Sequence, residues 1–350
     1  MTVLERLGVS VPIIQAPMAG TSTPRLAAEV SNAGALGSIA VGATDAAGAR
    51  RMIEETRALT DRPFNVNVFV HATPTPDPAK ESAWLEKLAP LFAGYEARPP
   101  ERLRAIYESF AADDAMLALL VEAAPAVVSF HFGLPDARRI AALRQAGCIL
   151  IATATSLSEA VAAREAGIDA VVAQGWEAGG HRGVFDPDAP DDRLGVLALT
   201  RLFVERVGLP VIAAGGIMDG RGVRATLELG AVAAQLGTAF IACPESAADA
   251  AYRAALASEA AEHTTMTRAI SGRPARCLKN RFTEWGEGRD ADVPAYPIAY
   301  DAGKALNAAA KTAGEGGFGA QWAGQGAPLS RVMPAAGLIA VLKREAGLAA

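Results

Sequence analysis

Three cysteines in 350 residues are few. Cys148, Cys243 and Cys277 lie far apart, form no Cys-x-x-Cys pair and cannot all pair with one another. That excludes a disulfide framework and points to a reducing, cytoplasmic setting. Aromatic residues are also scarce, at 6%. No block of Lys and Arg stands ready to neutralise phosphates, and the formal net charge is −5, which excludes a nucleic-acid partner. No uncharged run is long enough to span a bilayer, so no membrane is expected. The opening MTVLERLGVSVPIIQAPMAG lacks the basic and long apolar regions of a secretory leader. HExxH, GxSxG and carboxylates at metal spacing are missing too. These absences argue against serine hydrolases and metal-dependent chemistry, and no metal is expected.

What the chain does have is a 51% apolar composition rich in Ala, Val, Leu and Gly. Eight short apolar runs recur: 12–19, 35–41, 64–70, 126–133, 148–155, 170–175, 210–216 and 231–240. They are nearly continuous rather than alternating, as parallel strands buried on both faces require. Amphipathic stretches lie between most of them. SLSEAVAAREAG (156–167) opens on a cap-like serine and closes on glycine, and DGRGVRATLELG (219–230) behaves similarly. This rhythm predicts an α/β fold, a (β/α)8 TIM barrel, with a doubly wound sheet as the alternative. Two segments break the rhythm. Residues 71–125, beginning HATPTPDPAKESAW, predict a helical insertion after strand 3. Residues 241–333 predict a smaller helical and loop segment that caps the site. The barrel then comprises 1–240, with the insertion inside it, and 334–350.

Barrel active sites lie at the C-terminal ends of the strands. That rule selects Met18 and Ala19, Asn67, His131, Thr153, Gln174 with its Gly-rich turn, Gly215–Gly216, and Gln235–Thr238. Asn67 and Gln174 are amides in apolar strands. Burial without hydrogen bonds is costly, so a flat, hydrogen-bonding ring such as a flavin would satisfy them. The glycines closing strands seven and eight let backbone N–H groups approach a phosphate. By contrast GEGGFG (314–319) follows a helical stretch rather than a strand, so it is expected to be a loop and not a dinucleotide fingerprint.

The segments IIQAPMAG, NVNVFV, SFHFGLP, ATATSLSEA, QGWEAGGHRG, IAAGGI, QLGTAF and WAGQGAPLSR occur in this order over nearly the whole chain. In them the chain resembles the nitronate monooxygenases, formerly 2-nitropropane dioxygenases, of class I. EAGGHRG and WAGQGAPLSR are specific; QAPMAG and AAGGI are shared with other flavin barrels. The resemblance implies an FMN-dependent enzyme whose small-molecule partners are a nitronate, propionate 3-nitronate being the usual one, and O2. The products are a carbonyl compound and nitrite, by a route that begins with one-electron transfer to the flavin. It assigns Ala16, Pro17, Met18, Asn67, Gln174, Gly179, Gly180, Gly215, Gly216, Gln235, Leu236, Gly237 and Thr238 to FMN. On this view the glycines at 179–180 bring backbone against the cofactor.

His131 and His181, from strand ends four and six, are then expected over one flavin face. His181 serves as a hydrogen-bond donor, and His131 as the base if neutral nitroalkanes are accepted. Tyr107, Tyr252, Tyr296, Tyr300 and Lys304 are expected to close the pocket. Tyr300 and Lys304 share a face if helical, with Lys304 pairing a substrate carboxylate. Glu177 and Arg182 read as ion partners that fix a loop; His71 and His263 read as structural. Two alternatives remain at this point: an NAD(P)H:quinone or enoyl reductase on a related barrel, and a non-catalytic barrel that binds a phosphorylated metabolite. His131 within SFHFG and the WAGQGAPL segment favour the nitronate reading.

Overall fold

The computed structural model describes residues 3–348. In chain order its strands are β1 (Ile13–Gln15), β2 (Gly37–Ala40), β3 (Phe64–Phe69), β4 (Val127–His131), β5 (Ile149–Ala154), β6 (Ala170–Gln174), β7 (Gly180–His181), β8 (Val211–Ala214), β9 (Ala233–Leu236), β10 (Thr264–Thr267) and β11 (Ala275–Leu278). Eight of them pair in parallel in the order β1-β9-β8-β6-β5-β4-β3-β2. A parallel bridge from Ile14 to Leu36 closes the ring. Closure leaves no sheet edge exposed. Every residue of β2, β3, β5 and β6 is buried, as the continuous apolar runs require.

Local chemistry fixes where the surrounding helices start. Helix Leu157–Glu165 begins at Ser156, whose hydroxyl accepts from the Glu159 amide at 3.3 Å. Helix Gly220–Glu228 begins at Asp219, whose carboxylate accepts from Gly222 N at 2.8 Å. Each such cap stabilises its helix by about 1 kcal/mol. Ile14, Leu36, Ile151, Val172 and Ile212 fill the barrel interior, so one end is plugged and a site can open only at the other.

The insertion is shorter than the sequence suggests. Helix Asp114–Ala123 puts Met116, Leu117 and Leu120 into the same core as Val128 and Phe130, and so belongs to the ring. Outside the ring stand helix Pro78–Ala93 and the loop up to residue 113. Trp84, Leu88 and Phe92 of that helix pack with Ile298, Ala302 and Leu306 of helix Ile298–Thr312. The two segments that break the β-α rhythm therefore share one apolar core and form a lid over the open end. A small antiparallel sheet, β10-β11-β7, joins lid to barrel, with His181 opposite Ala275. The last helix, Ala335–Glu345, returns to the barrel and packs Leu338, Ile339 and Leu342 with Leu26 and Val223.

Candidate active site

A cavity of about 540 Å³ opens at the C-terminal ends of the strands, between barrel and lid. Its floor is mostly backbone and amide. Gly215 and Gly216, just past β8, have φ of +128° and +70°, a conformation that side chains rarely adopt. Beyond β9 come Gln235, Gly237 and Thr238. The Thr238 hydroxyl accepts from Gly324 N at 3.0 Å, which ties the lid to the floor. Asn67 donates through Nδ2 to the Ser129 carbonyl (3.1 Å) and hydroxyl (2.9 Å), and its Oδ1 meets no protein donor among the described residues.

The opposite wall consists of rings and charge. His131 Nε2 lies 3.2 Å from the carbonyl oxygen of His181. A carbonyl can only accept, so this nitrogen carries the proton. Burial lowers the His131 pKa to about 4; the hydrogen bond to the His181 backbone opposes this, and Arg273 and Arg182 add to it. Burial also lowers His181 to about 3, with help from His131, Arg273 and His71. Both imidazoles are therefore neutral at pH 7. The His181 ring packs 5.0 Å from Trp322, 5.4 Å from Tyr296 and 5.5 Å from Phe132 between centroids, and its Nε2 meets Ser271 Oγ at 2.9 Å. Tyr107 and Tyr300 meet edge to face at 6.0 Å. Burial raises the Tyr107 phenol to about 12 and pushes Tyr252, Tyr296 and Tyr300 up as well, so these hydroxyls stay protonated as donors. The Lys304 ammonium lies 4.9 Å from the Tyr107 ring centre and 5.4 Å from that of Tyr300. Burial of part of its side chain lowers the Lys304 pKa, while nearby Asp301 raises it. Asp301 itself pairs with Arg104 at 3.7 Å, and Lys304 has no ion-pair partner among the described residues.

Such a site can hold a flat ligand against backbone and amides while neutral bases, phenols and one cation face it. No cluster of metal ligands occurs among the described residues. The nitronate monooxygenase family model matches residues 2–345. The chain belongs to this family. It is 63% identical to the nitronate monooxygenase of Paraburkholderia phytofirmans, over 98% of this chain and 94% of that one. It is 55% identical to the nitronate monooxygenase of Pseudomonas aeruginosa, over 97% of each. A solved nitroalkane oxidase from Streptomyces ansochromogenes superposes with a TM-score of 0.91 at 43% identity, covering 99% and 98% of the two chains. FabK from Thermotoga maritima is more distant, with a TM-score of 0.74 and 29% identity over 99% and 95%. The protein is thus an oxidoreductase of the flavin-dependent nitronate monooxygenases, built on the expected TIM barrel. No described helix is long and apolar enough to cross a membrane.

The residues expected for cofactor, substrate and chemistry line this cavity, save Leu236. Strand alternation turns Leu236 outward, where it is buried beside Leu338 and Ile339. Several expected roles change. Gln174 is already engaged by protein: its Nε2 donates to the His181 carbonyl at 3.0 Å, and its Oε1 accepts from Gly183 N at 2.7 Å. Gly179 lines the cavity and also makes room for the lid, because a Cβ there would run into the backbone of Ala323 and Gly324. Arg182 is an ion partner, of Asp191 at 2.7 Å. Glu177 is not; its carboxylate accepts from Val196 N at 2.9 Å and 3.1 Å, at the start of helix Val196–Arg206.

Tyr300 and Lys304 do share helix Ile298–Thr312. His263 is exposed, whereas His71 is buried edge-on to Tyr296 at 5.0 Å. GEGGFG forms a turn that sends Phe318 into the lid core. Sequence reasoning missed Ser271 and Phe69, and gave Trp322 no role although it sits in the quoted WAGQGAPLSR. The one signal for Ser271 was its place before Gly272, whose φ of +91° marks a tight turn.

Proposed function

We propose that this protein oxidises alkyl nitronates, propionate 3-nitronate among them, with O2 to a carbonyl compound and nitrite, using FMN. The observation that carries the proposal is the pairing of the two walls. One wall offers glycine turns, the open Oδ1 of Asn67 and the amide of Gln235, which fit a flat ring with a phosphate tail. The other offers the phenols of Tyr107, Tyr296 and Tyr300, two neutral imidazoles and an ammonium with no carboxylate partner among the described residues; the Tyr252 hydroxyl is spent on the Trp322 carbonyl. When bound, FMN supplies acceptance of one electron from the nitronate and the reaction with O2.

This chain's residues do the remainder. A nitronate is an anion already and needs no base. Tyr107 and Tyr300 donate to its oxygens, and Lys304 pairs with the carboxylate of propionate 3-nitronate. The lid excludes water, which strengthens these contacts. For a neutral nitroalkane a base is needed, and we assign it to His181. His131 donates its Nε2–H to the His181 carbonyl, which steadies the loop that carries His181.

Oxygen consumption and nitrite release by the FMN-loaded protein test the reading. Propionate 3-nitronate should drive rapid O2 uptake with nitrite formed alongside. Anaerobic NADH should leave the flavin oxidised; rapid bleaching with NADH and inert nitronate would defeat the proposal in favour of a reductase.

A further inference from the structure

A second cavity, of about 550 Å³, shares a single lining residue with the first, Tyr296. Among its other lining residues are His71 and Arg273. His71, Tyr296 and Arg273 are only 2%, 6% and 3% exposed. Buried polar groups ordinarily find a partner. These do not. The Arg273 Nε, the Tyr296 hydroxyl and both ring nitrogens of His71 make no hydrogen bond to protein. They are four of the nine such side-chain atoms among the described residues, so the orphans gather in one place. The His71 and Tyr296 rings meet at 5.0 Å between centroids. The Arg273 guanidinium lies 4.3 Å from the ring centre of Phe132, which packs 5.4 Å from Tyr296.

The chemistry of these groups says what they lack. Arg273 spends one nitrogen, Nη2, on the carbonyls of Val184 and Phe185. No carboxylate among the described residues pairs with it. Burial lowers the Arg273 pKa to about 10, against the opposing pull of Tyr296, Glu159 and Asp186, so it is charged at pH 7. A buried charge without a counter-charge is costly. Water would meet its N–H but not its charge. The unspent groups are donors: a guanidinium N–H, a phenol O–H and one imidazole N–H, since burial holds His71 neutral at a pKa of about 4. Their complement is a small anion that only accepts. Asp186, Asp188 and Asp290 also line the cavity, but they are exposed, and Asp188 is taken by Arg268 at 2.9 Å. Their charge disfavours a polyanion and leaves room for a single negative charge at Arg273.

We propose that this second cavity binds a small planar oxyanion on Arg273, Tyr296 and His71, and that its occupant during turnover is nitrite. The site stands on the orphaned donors. The choice of nitrite rests on the reaction proposed above, which releases it next door. The two oxygens of nitrite can take the guanidinium N–H and the phenol O–H together. Tyr107 and Tyr300 serve the substrate, so the Tyr296 hydroxyl is free for this role.

The test titrates FMN-loaded protein, 15N-labelled at arginine, with sodium nitrite at constant ionic strength, and with sodium chloride as the control. The Arg273 Nε–H resonance is assigned by its absence from Arg273→Lys. It should shift with nitrite and saturate with a Kd on the order of a millimolar, the limit for a ligand of three heavy atoms. Chloride should move it little. Tyr296→Phe should weaken nitrite about tenfold. Lys304→Met, in the first cavity, should leave the Kd within about twofold. Three outcomes would overturn the proposal. No shift at high nitrite would mean that the cavity holds only water. An equal shift with chloride would mean an adventitious ion only. Binding lost in Lys304→Met but unchanged in Tyr296→Phe would put nitrite in the first cavity. The reaction is judged apart from this: protein that binds nitrite at Arg273 yet forms none from nitronates keeps the site and overturns nitrite as its occupant.

Discussion

The floor and the lid of this site are built on different principles. The floor is backbone held in place by a barrel: left-handed glycines after β8, Gly237 and Thr238 after β9, and the Asn67 amide inside β3. The lid is side chains drawn from distant stretches: Tyr107 from the loop after helix Pro78–Ala93, Tyr296 and Lys304 from around helix Ile298–Thr312, and Trp322 from the loop beyond it. In the proposed function the floor grips the shared part of the reaction, the cofactor. A lid of this kind decides what is brought to it.

If the division is right, the most damaging change is one that separates the halves. Gly179→Ala forces a methyl group into the Ala323–Gly324 backbone. Thermal unfolding should report a loss of roughly 3 kcal/mol, together with lost flavin absorbance. Unchanged stability would mean that the halves are not locked there. Next in size is His181→Asn: turnover of neutral nitroalkanes should fall at least about a hundredfold while FMN stays bound. Lys304→Met should raise KM for propionate 3-nitronate about tenfold and spare uncharged nitronates. Equal effects on both would remove the carboxylate pairing.

An effect outside catalysis is on stability against acid. His71, His131 and His181 are held at about 4, 4 and 3 in the folded protein, His71 by burial first and Arg273 second. An unfolded imidazole titrates near 6.5, so the unfolded chain binds more protons at intermediate pH. Stability is therefore full above about pH 6.5 and falls as pH drops toward 4, by up to about 1.4 kcal/mol per pH unit for each imidazole. Denaturant melts at pH 7 and 5 should show it. His263 is exposed and shares none of this burial.

The same contrast explains what was legible in the chain. Continuous apolar runs bounded by caps located all eight barrel strands, and the strand-end rule then pointed at Asn67, Gly216 and Thr238 from the order of elements alone. Side-chain direction was harder. Leu236 lies between two cavity residues yet faces the outer helices, because a strand alternates. The two-residue strand β7 is too short for any periodicity to betray, so its pairing with β11 was invisible. The lid could be populated only through family resemblance. Its residues meet across more than two hundred positions, as Trp84 meets Leu306, and no local pattern encodes that. Gln174 and Gly179 line the cavity, yet their contacts with the protein itself were not legible. Both turn polar or close-packed features toward the protein's own loops.

In the proposed function one wall grips the flavin and the opposite wall performs the chemistry. The double variant His181→Asn/Lys304→Met tests it most directly, by fluorescence titration with FMN beside oxygen uptake on nitroethane and propionate 3-nitronate. The FMN Kd should stay within about threefold of the parent, with turnover of nitroethane reduced at least about a hundredfold. Flavin affinity lost in step with activity would contradict it.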